Sequence, residues 1–271
     1  MSVVYLLGHP VAHSLSPAMH NAAFRHLGLP HTYELLDVTA AELPGAVTRI
    51  RDGDVLGANV TVPHKEAVMK LVDTWDGPTA EIGAANTLAR TPDGKKLLAA
   101  NTDVVGFQYA TREVDLTDQR VLVLGAGGAA RAVIAVLHRR GAHVALANRT
   151  RERAETLARS VAHPAELTLA VIDWGSRGEL AEVDVIVNAT SLGLHGEDPL
   201  DGAALRRELV VIDLIPTAVP TPLVKRARAA GATVIDGLPM LLQQAASSFQ
   251  IWTRREAPVE AMRAALFASA S

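Results

Sequence analysis

With 271 residues, 49% of them hydrophobic and only 4% aromatic, the chain can fill one large domain or two ordinary ones, with cores of Ala, Val, Leu and Ile. A formal net charge of −3, with no run of like charges, excludes a general attraction for nucleic acid or an anionic membrane surface. There is no cysteine, which removes disulfides, thiolate nucleophiles, Fe–S clusters and cysteine zinc sites together.

The opening MSVVYLLGHP has no basic leader and its apolar run stops at Gly8. It reads as a first strand over 3–7 and not as a signal peptide. No apolar stretch nears the ~20 residues of a membrane span, so a cytoplasmic location is the expectation. Ser16-Pro17 suits a helix start, predicting a helix over 17–27 that stops at Gly28. Strands are expected over 32–37, 56–62, 87–90 and 96–99, the last two joined as a hairpin by Pro92-Asp93-Gly94.

A second part begins near Val104. Its strands are expected at 121–124, 143–147, 169–173, 185–188, 209–213 and 233–236. Helices are expected at 128–139, 151–161 and 222–229, which makes a doubly wound parallel sheet. Two further helices, 238–252 and 259–267, close the chain. The fold class is α/β: an N-terminal α/β domain over 1–103, joined by the helices of 238–271, and a Rossmann-type domain over 104–237.

Gly125-Ala126-Gly127-Gly128-Ala129-Ala130 follows an apolar strand and opens a helix, matching G-x-G-x-x-G/A. Gly125 permits a tight turn, Gly127 lets backbone approach a pyrophosphate, and a small residue at 130 allows helix and strand to pack closely. The helix N-terminus offers N–H donors to the phosphates. An NAD site carries Asp or Glu at the end of the second strand, where it accepts from the ribose 2′-OH. Here Asn148-Arg149-Thr150 stands there, then Arg151 and Arg153. A guanidinium grips a 2′-phosphate bidentately, so NADP is the expected cofactor. Arg151 reads as a solvated helix-face charge.

Three polar clusters precede residue 104. In GHPVAHSLSP, Ser14 and Ser16 can donate to a carboxylate at a helix N-terminus; the plainer reading makes Ser16 a cap and leaves Ser14 to solvent. In GANVTVPHK, Asn59 and Thr61 alternate with apolar residues before Lys65, which alone reads as a surface lysine. The third is Asn86-Thr87 with Asn101-Thr102-Asp103.

Taken with GAGGAAR, NRT, NATSLGL and GLPMLLQQA, these clusters resemble the shikimate dehydrogenase family in family order from Gly8 to Ala245. The resemblance implies NADPH-dependent reduction of 3-dehydroshikimate to shikimate, a step of chorismate and aromatic amino acid biosynthesis. By that resemblance Ser14 and Ser16 hold the substrate carboxylate. Asn59, Thr61, Asn86, Asp103 and Gln244 bind ring hydroxyls or shape the pocket, and Lys65 with Asp103 is the catalytic pair. Gly125, Ala126, Gly127, Gly128 and Ala129 hold the pyrophosphate, and Asn148, Arg149, Thr150 and Arg153 the adenosine 2′-phosphate. Thr190 and Gly237 lie beside the cofactor, with Met240 near the nicotinamide.

The pattern departs from the family at one place. After Asp213, Pro216 stands where a tyrosine is common, which removes a pocket hydroxyl. Quinate, or quinate and shikimate together, is therefore an alternative substrate, and a nucleotide-binding regulatory protein without catalysis an alternative of another class. The expected partner is a small molecule only, in a monomer or homodimer. The ten histidines show no ligand spacing, so no metal is expected. His13, His20 and His64 read as packing or supporting residues, His195 as solvated, and Phe249 and Trp252 as core.

Overall fold

The computed structural model describes residues 2–161, 169–217 and 219–270. The chain divides into two units: Met1–Gly106 with Leu241–Ser271, and Phe107–Met240. Two helices, α4 (Asp103–Ala110) and α8 (Gly237–Thr253), each run across the division in sequence.

The first unit comprises β1 (Ser2–Gly8), α1 (Ser16–His26), β2 (His31–Asp37), α2 (Leu43–Arg49), β3 (Val55–Val60), β4 (Thr74–Trp75), α3 (Gly77–Ile82), β5 (Thr87–Arg90) and β6 (Leu97–Ala100). Its sheet order is β2-β1-β3-β5-β6-β4. β1 pairs parallel with β2 and β3, whereas β5 runs antiparallel to β3 and β6. The hairpin turn is the expected one, with Gly94 at φ +71°. Leu7 pairs with Val60, Asn59 with Thr87, and Thr87 with Ala100. The carboxyl ends of β1, β3 and β6 and the amino end of β5 therefore share one edge of the sheet. Beneath it, Leu7, Ile50, Val55, Val68, Leu88 and Leu97 pack as one core.

Several boundaries differ from the sequence expectation. β3 ends at Val60, shortly before Pro63, which has no backbone N–H to give a ladder. Thr61 N–H nonetheless donates to Leu7 O at 2.8 Å, so the loop stays on the sheet edge. The short helix α2 was hidden by Pro44 and Gly45, although Pro44 occupies the first turn, where its missing N–H costs nothing. Asp103 is the first residue of α4, a helix not among those expected from sequence.

The second unit comprises β7 (Arg120–Leu124), α5 (Gly128–Arg139), β8 (His143–Ala147), α6 (Arg151–Ser160), β9 (Leu169–Ile172), β10 (Val185–Asn188), β11 (Val210–Asp213), α7 (Pro222–Ala229) and β12 (Thr233–Ile235). All its strand pairs are parallel, in the order β12-β11-β10-β7-β8-β9. Strand order reverses between β7 and β10, the place where doubly wound sheets bind their ligand. α5 buries Val133, Ile134, Val136 and Leu137.

In the first unit α9 (Val259–Ala270) lies against α1. Asn21 of α1 acts as a strand partner for β2: its carboxamide accepts from Tyr33 N–H at 2.8 Å and donates to Tyr33 O at 3.0 Å. The neighbouring His20 is fully buried, stacked on Tyr33 with ring centroids 4.4 Å apart and 5.2 Å from Trp252. Neither ring nitrogen has a hydrogen-bond partner among the described residues. Burial holds its pKa down to about 3. As pH falls below the ordinary value of 6.5, the unfolded chain takes up this proton and the folded one does not, so stability is lost between pH 6.5 and about 3. Each pH unit in that window costs about 1.4 kcal/mol for this one group. Chemical denaturation at pH 7 and pH 5 is expected to show the loss in the wild type and a clearly smaller one in His20→Phe. Equal losses in the two proteins would contradict a neutral buried imidazole.

Candidate active site

The expected polar residues of the first unit gather at the shared sheet edge. Gly8 leaves room for Thr61 Cγ2, and a Cβ there would lie 2.8 Å from Val11 Cγ1. His9 N–H donates to Val62 O at 3.0 Å, so the Ser14 and Thr61 loops are held together. Ser16 does not cap α1, whose start has no side-chain cap. Instead Ser14 Oγ accepts from Ser16 N–H at 3.2 Å. Ser16 is buried and its hydroxyl lies by the Tyr33 oxygen.

Lys65 is not a surface lysine. Its Nζ donates to Asp103 Oδ2 at 2.6 Å, with side chains only 13% and 2% exposed. Asp103 Oδ1 accepts from Asn86 Nδ2 at 3.0 Å, and Asp103 N–H is held by Asn101 Oδ1 at 3.1 Å. Asn86 Nδ2 also donates to Gln244 Oε1 at 2.7 Å. Because Gln244 Oε1 is the acceptor there, its Nε2 faces the other way as a donor, and it has no partner among the described residues. Lys65 Nζ likewise keeps protons beyond the one given to Asp103.

Asn59 behaves differently. Its Nδ2 donates to Asn86 O at 2.9 Å, with Thr87 Oγ1 at 3.2 Å and Ser248 Oγ at 3.1 Å, and its Oδ1 accepts from Tyr33 at 2.8 Å. Burial pushes the Tyr33 hydroxyl above its ordinary range, so it stays a proton donor. Every polar atom of Asn59 is spent on the protein, so of its two expected roles the geometry favours shaping the pocket. Thr87 and Thr102, members of the third polar cluster to which no role was given, belong to this network, as do Ser248 and Tyr33, which were not singled out from sequence. The available signal was helical spacing: Gln244, Ser248 and Trp252 fall on one stripe of α8.

In the second unit Gly125 sits at φ +103°, and a Cβ there would meet Ala189 O at 2.8 Å. Ala126 is buried in the same turn, while Gly128 and Ala129 open α5. Gly127 has nothing within 4 Å of the position its Cβ would take, which leaves the approach that a pyrophosphate needs. Asn148 Nδ2 donates to Thr150 O at 2.8 Å and shapes the turn after β8. Arg149 and Arg153 are exposed, and their side chains have no ion-pair or hydrogen-bond partner among the described residues. Arg151 differs: it pairs with Glu155 at 2.9 Å and with Asp173. The residues present thus fit an NADP molecule.

Thr190 Oγ1 donates to Asn188 Oδ1 at 2.7 Å and accepts from Leu192 N–H at 3.0 Å, closing the loop after β10. Gly237 is required by packing, because a Cβ would fall 2.7 Å from the backbone of Leu214 and Ile215. Met240 is buried three residues on. Asp213 is buried and its pKa is raised by desolvation; it accepts from Thr221, Asn188 and Ile215 N–H, and thereby fixes the loop that carries the exposed Pro216.

His64 is buried with Nε2 on Val38 O at 2.5 Å, His9 pairs with Asp37, and His13 and His195 are exposed. Among the described residues no group of His, Asp and Glu could hold a metal ion, and no helix is long and apolar enough to cross a membrane. A cavity of about 580 Å³ on the nucleotide sheet is lined by Arg120, Arg151, Asp173 and Glu182, whose charges already pair with protein groups.

A glycine turn and free arginines on a doubly wound sheet, with a lysine–carboxylate pair among amide donors, make this a nicotinamide-dependent oxidoreductase. Residues 6–88 match the family described as shikimate dehydrogenase substrate binding domain, 108–238 shikimate / quinate 5-dehydrogenase, and 237–267 shikimate 5′-dehydrogenase C-terminal domain. The shikimate dehydrogenase (NADP(+)) of Methanopyrus kandleri is 45% identical, over 98% of this chain and 94% of its own. The Thermus thermophilus shikimate 5-dehydrogenase, solved in complex with NADP(H) and shikimate, is 36% identical with a TM-score of 0.86, covering 99% of this chain and 100% of that one. Quinate dehydrogenase from Corynebacterium glutamicum, solved with NAD, is 28% identical with a TM-score of 0.87, covering 98% and 99%. The chain belongs to the shikimate dehydrogenase family.

Removing Asn59 takes away the acceptor of the buried Tyr33 hydroxyl and one donor to the buried Asn86 carbonyl, which keeps Val60 N–H at 2.8 Å. Asn59→Leu is therefore expected to destabilise the first unit by about 1–3 kcal/mol, seen as a lower denaturation midpoint. Thr61→Ala removes a hydroxyl that makes no side-chain hydrogen bond among the described residues, and is expected to leave the midpoint nearly unchanged.

Proposed function

We propose that this chain interconverts 3-dehydroshikimate and shikimate with NADPH and NADP+, using Lys65 and Asp103 as the acid–base pair. The observation that carries the reading is the 2.6 Å bond between Lys65 and a nearly buried Asp103 beside the open carboxamide of Gln244. Residues 1–103 with 238–271 bind the substrate, and 104–237 hold the cofactor.

A ketone becomes an alcohol by gaining one hydride at carbon and one proton at oxygen. The bound NADPH supplies the hydride. Lys65 Nζ donates the proton to the carbonyl oxygen as negative charge develops there, and in the reverse direction the neutral amine takes it back. Asp103 holds the ammonium in place and, with Asn86 and Gln244, orients ring hydroxyls; Thr61 adds one more hydroxyl. Ser14 and Ser16 take the substrate carboxylate at the start of α1, where the helix dipole favours an anion.

The pyrophosphate rests on Gly125, Ala126, Gly127, Gly128 and Ala129 at the start of α5. Arg149 and Arg153, with Asn148 and Thr150, take the 2′-phosphate, and Thr190, Gly237 and Met240 border the cofactor. Pro216 offers no hydroxyl to the substrate, and a quinate dehydrogenase shares the fold, so quinate is the second substrate to test.

Absorbance of the reduced nicotinamide, followed with shikimate or quinate and NADP+, tests the reaction directly. No turnover of either would leave the reading as a non-catalytic nucleotide binder instead. Lys65→Ala is expected to lower kcat by roughly 10²–10⁴, and near-wild-type turnover would remove Lys65 from the mechanism. Replacing Arg149 and Arg153 together by Gln is expected to raise KM for NADPH by about tenfold or more and KM for NADH far less. Equal rises would contradict a 2′-phosphate site.

A further inference from the structure

α8 is fastened to the first unit by a stripe of three residues one turn apart. Trp252 Nε1 donates to Leu88 O at 2.9 Å, and Gly57 leaves room for that indole, since a Cβ there would lie 2.5 Å from Leu88 O. One turn back, Ser248 is fully buried at a junction of strands. Its Oγ meets Asn59 Nδ2 at 3.1 Å, Thr87 Oγ1 at 2.8 Å and Thr102 Oγ1 at 3.1 Å. It also donates to Gln244 O at 3.0 Å, the carbonyl of the residue one further turn back. Gln244 then reaches Asn86 at 2.7 Å.

We propose that Ser248 is a positioning residue for substrate recognition: by joining α8 to Asn59, Thr87 and Thr102, its hydroxyl sets the depth and rotation at which Gln244 presents its Nε2 donor. This rests on the reading of Gln244 as a ligand of the shikimate ring. The proton count supports the assignment. Asn59 Oδ1 is committed to Tyr33, so Asn59 Nδ2 must face Ser248, which accepts there and gives its own proton to Gln244 O. Ser248 is thus both an acceptor from the sheet and a donor to the backbone of the residue it positions. An alanine keeps the helix but loses both bonds, and Gln244 loses its fixed height over Asn86. Binding of the ring weakens, while no hydrogen bond of the nucleotide turn involves Ser248.

The experiment is steady-state kinetics on the full-length chain with shikimate and NADP+. Ser248→Ala is expected to raise KM for shikimate about 3- to 10-fold, the worth of one or two oriented hydrogen bonds. KM for NADP+ should stay unchanged and kcat should fall less than KM rises. Gln244→Ala should raise KM for shikimate too, and the double variant should be no worse than Gln244→Ala alone, because Ser248 acts through Gln244. Ser248→Cys, close in shape but a weak hydrogen bonder, should resemble Ser248→Ala, which also serves if the alanine variant does not fold. An unchanged KM for shikimate in the alanine or cysteine variant, whatever happens to thermal stability, overturns the proposal. So does a double variant whose KM is the product of the single effects. A wild-type chain inactive on shikimate would instead overturn the proposed reaction itself.

Discussion

The backbone N–H of Thr102 donates to Asn86 Oδ1 at 2.7 Å, and that bond decides which way the Asn86 carboxamide faces. A main-chain donor cannot be turned into an acceptor, so Oδ1 must stay there and Nδ2 must face Asp103 and Gln244. The consequence passes outward. Asp103 is held as an acceptor on both oxygens, and Gln244 Oε1 is consumed, which turns Gln244 Nε2 into the exposed end. The carbonyl of Asn86 imposes the same discipline on Asn59, whose Oδ1 is left for Tyr33. A single amide in the β6–α4 connection thereby sets donor and acceptor polarity over the whole edge of the sheet.

Such an arrangement explains why a nearly buried lysine–carboxylate pair is tolerated. Taking two charges out of water costs several kcal/mol per ion unless hydrogen bonds replace the lost hydration. Asp103 receives Lys65 on one oxygen and Asn86 on the other, and its own N–H is satisfied by Asn101. Lys65 is the less satisfied partner. Its remaining protons are the part of the network without a protein acceptor, as the proposed proton transfer requires, among dipoles that are already oriented.

The nucleotide half was the more legible from sequence because its chemistry is local. Gly125, Gly127 and the start of α5 lie within a few residues, and the distinction between Arg149 and an acid is a matter of one position. The substrate half was legible only through family resemblance. Lys65 and Asp103 stand 38 residues apart, and Asn59 and Ser248 189 apart, so no spacing rule relates them. Asn59 is the instructive case. Its residue type and its place beside Thr61 suggest a ligand, yet its neighbours through the sheet use up every polar atom. Ser16 is another: a serine before a proline reads as a cap, but it is the first residue of the helix, its N–H donates to Ser14 Oγ and its hydroxyl lies by Tyr33.

The glycines separate two reasons for the same residue. Gly125 and Gly237 are needed by the fold itself, since a Cβ at either would press on backbone at 2.8 and 2.7 Å. Gly127 is not needed by the fold at all, because open space surrounds its missing Cβ. A glycine costs roughly 0.5–1 kcal/mol in an ordered segment relative to alanine, and at Gly127 nothing within the protein offsets that cost. Open space alone does not single Gly127 out, since Gly45, Gly53, Gly77 and Gly175 share it; its place before the first turn of α5 suits it to a phosphate that approaches the backbone closely. The same reasoning applies to Arg149 and Arg153, exposed without partners while Arg151 between them is paired on both sides. Unspent donors and unfilled space occur together at the carboxyl end of β8 and the start of α5, and it is their coincidence, more than the glycine pattern alone, that fits the proposed dinucleotide site with room for an extra phosphate.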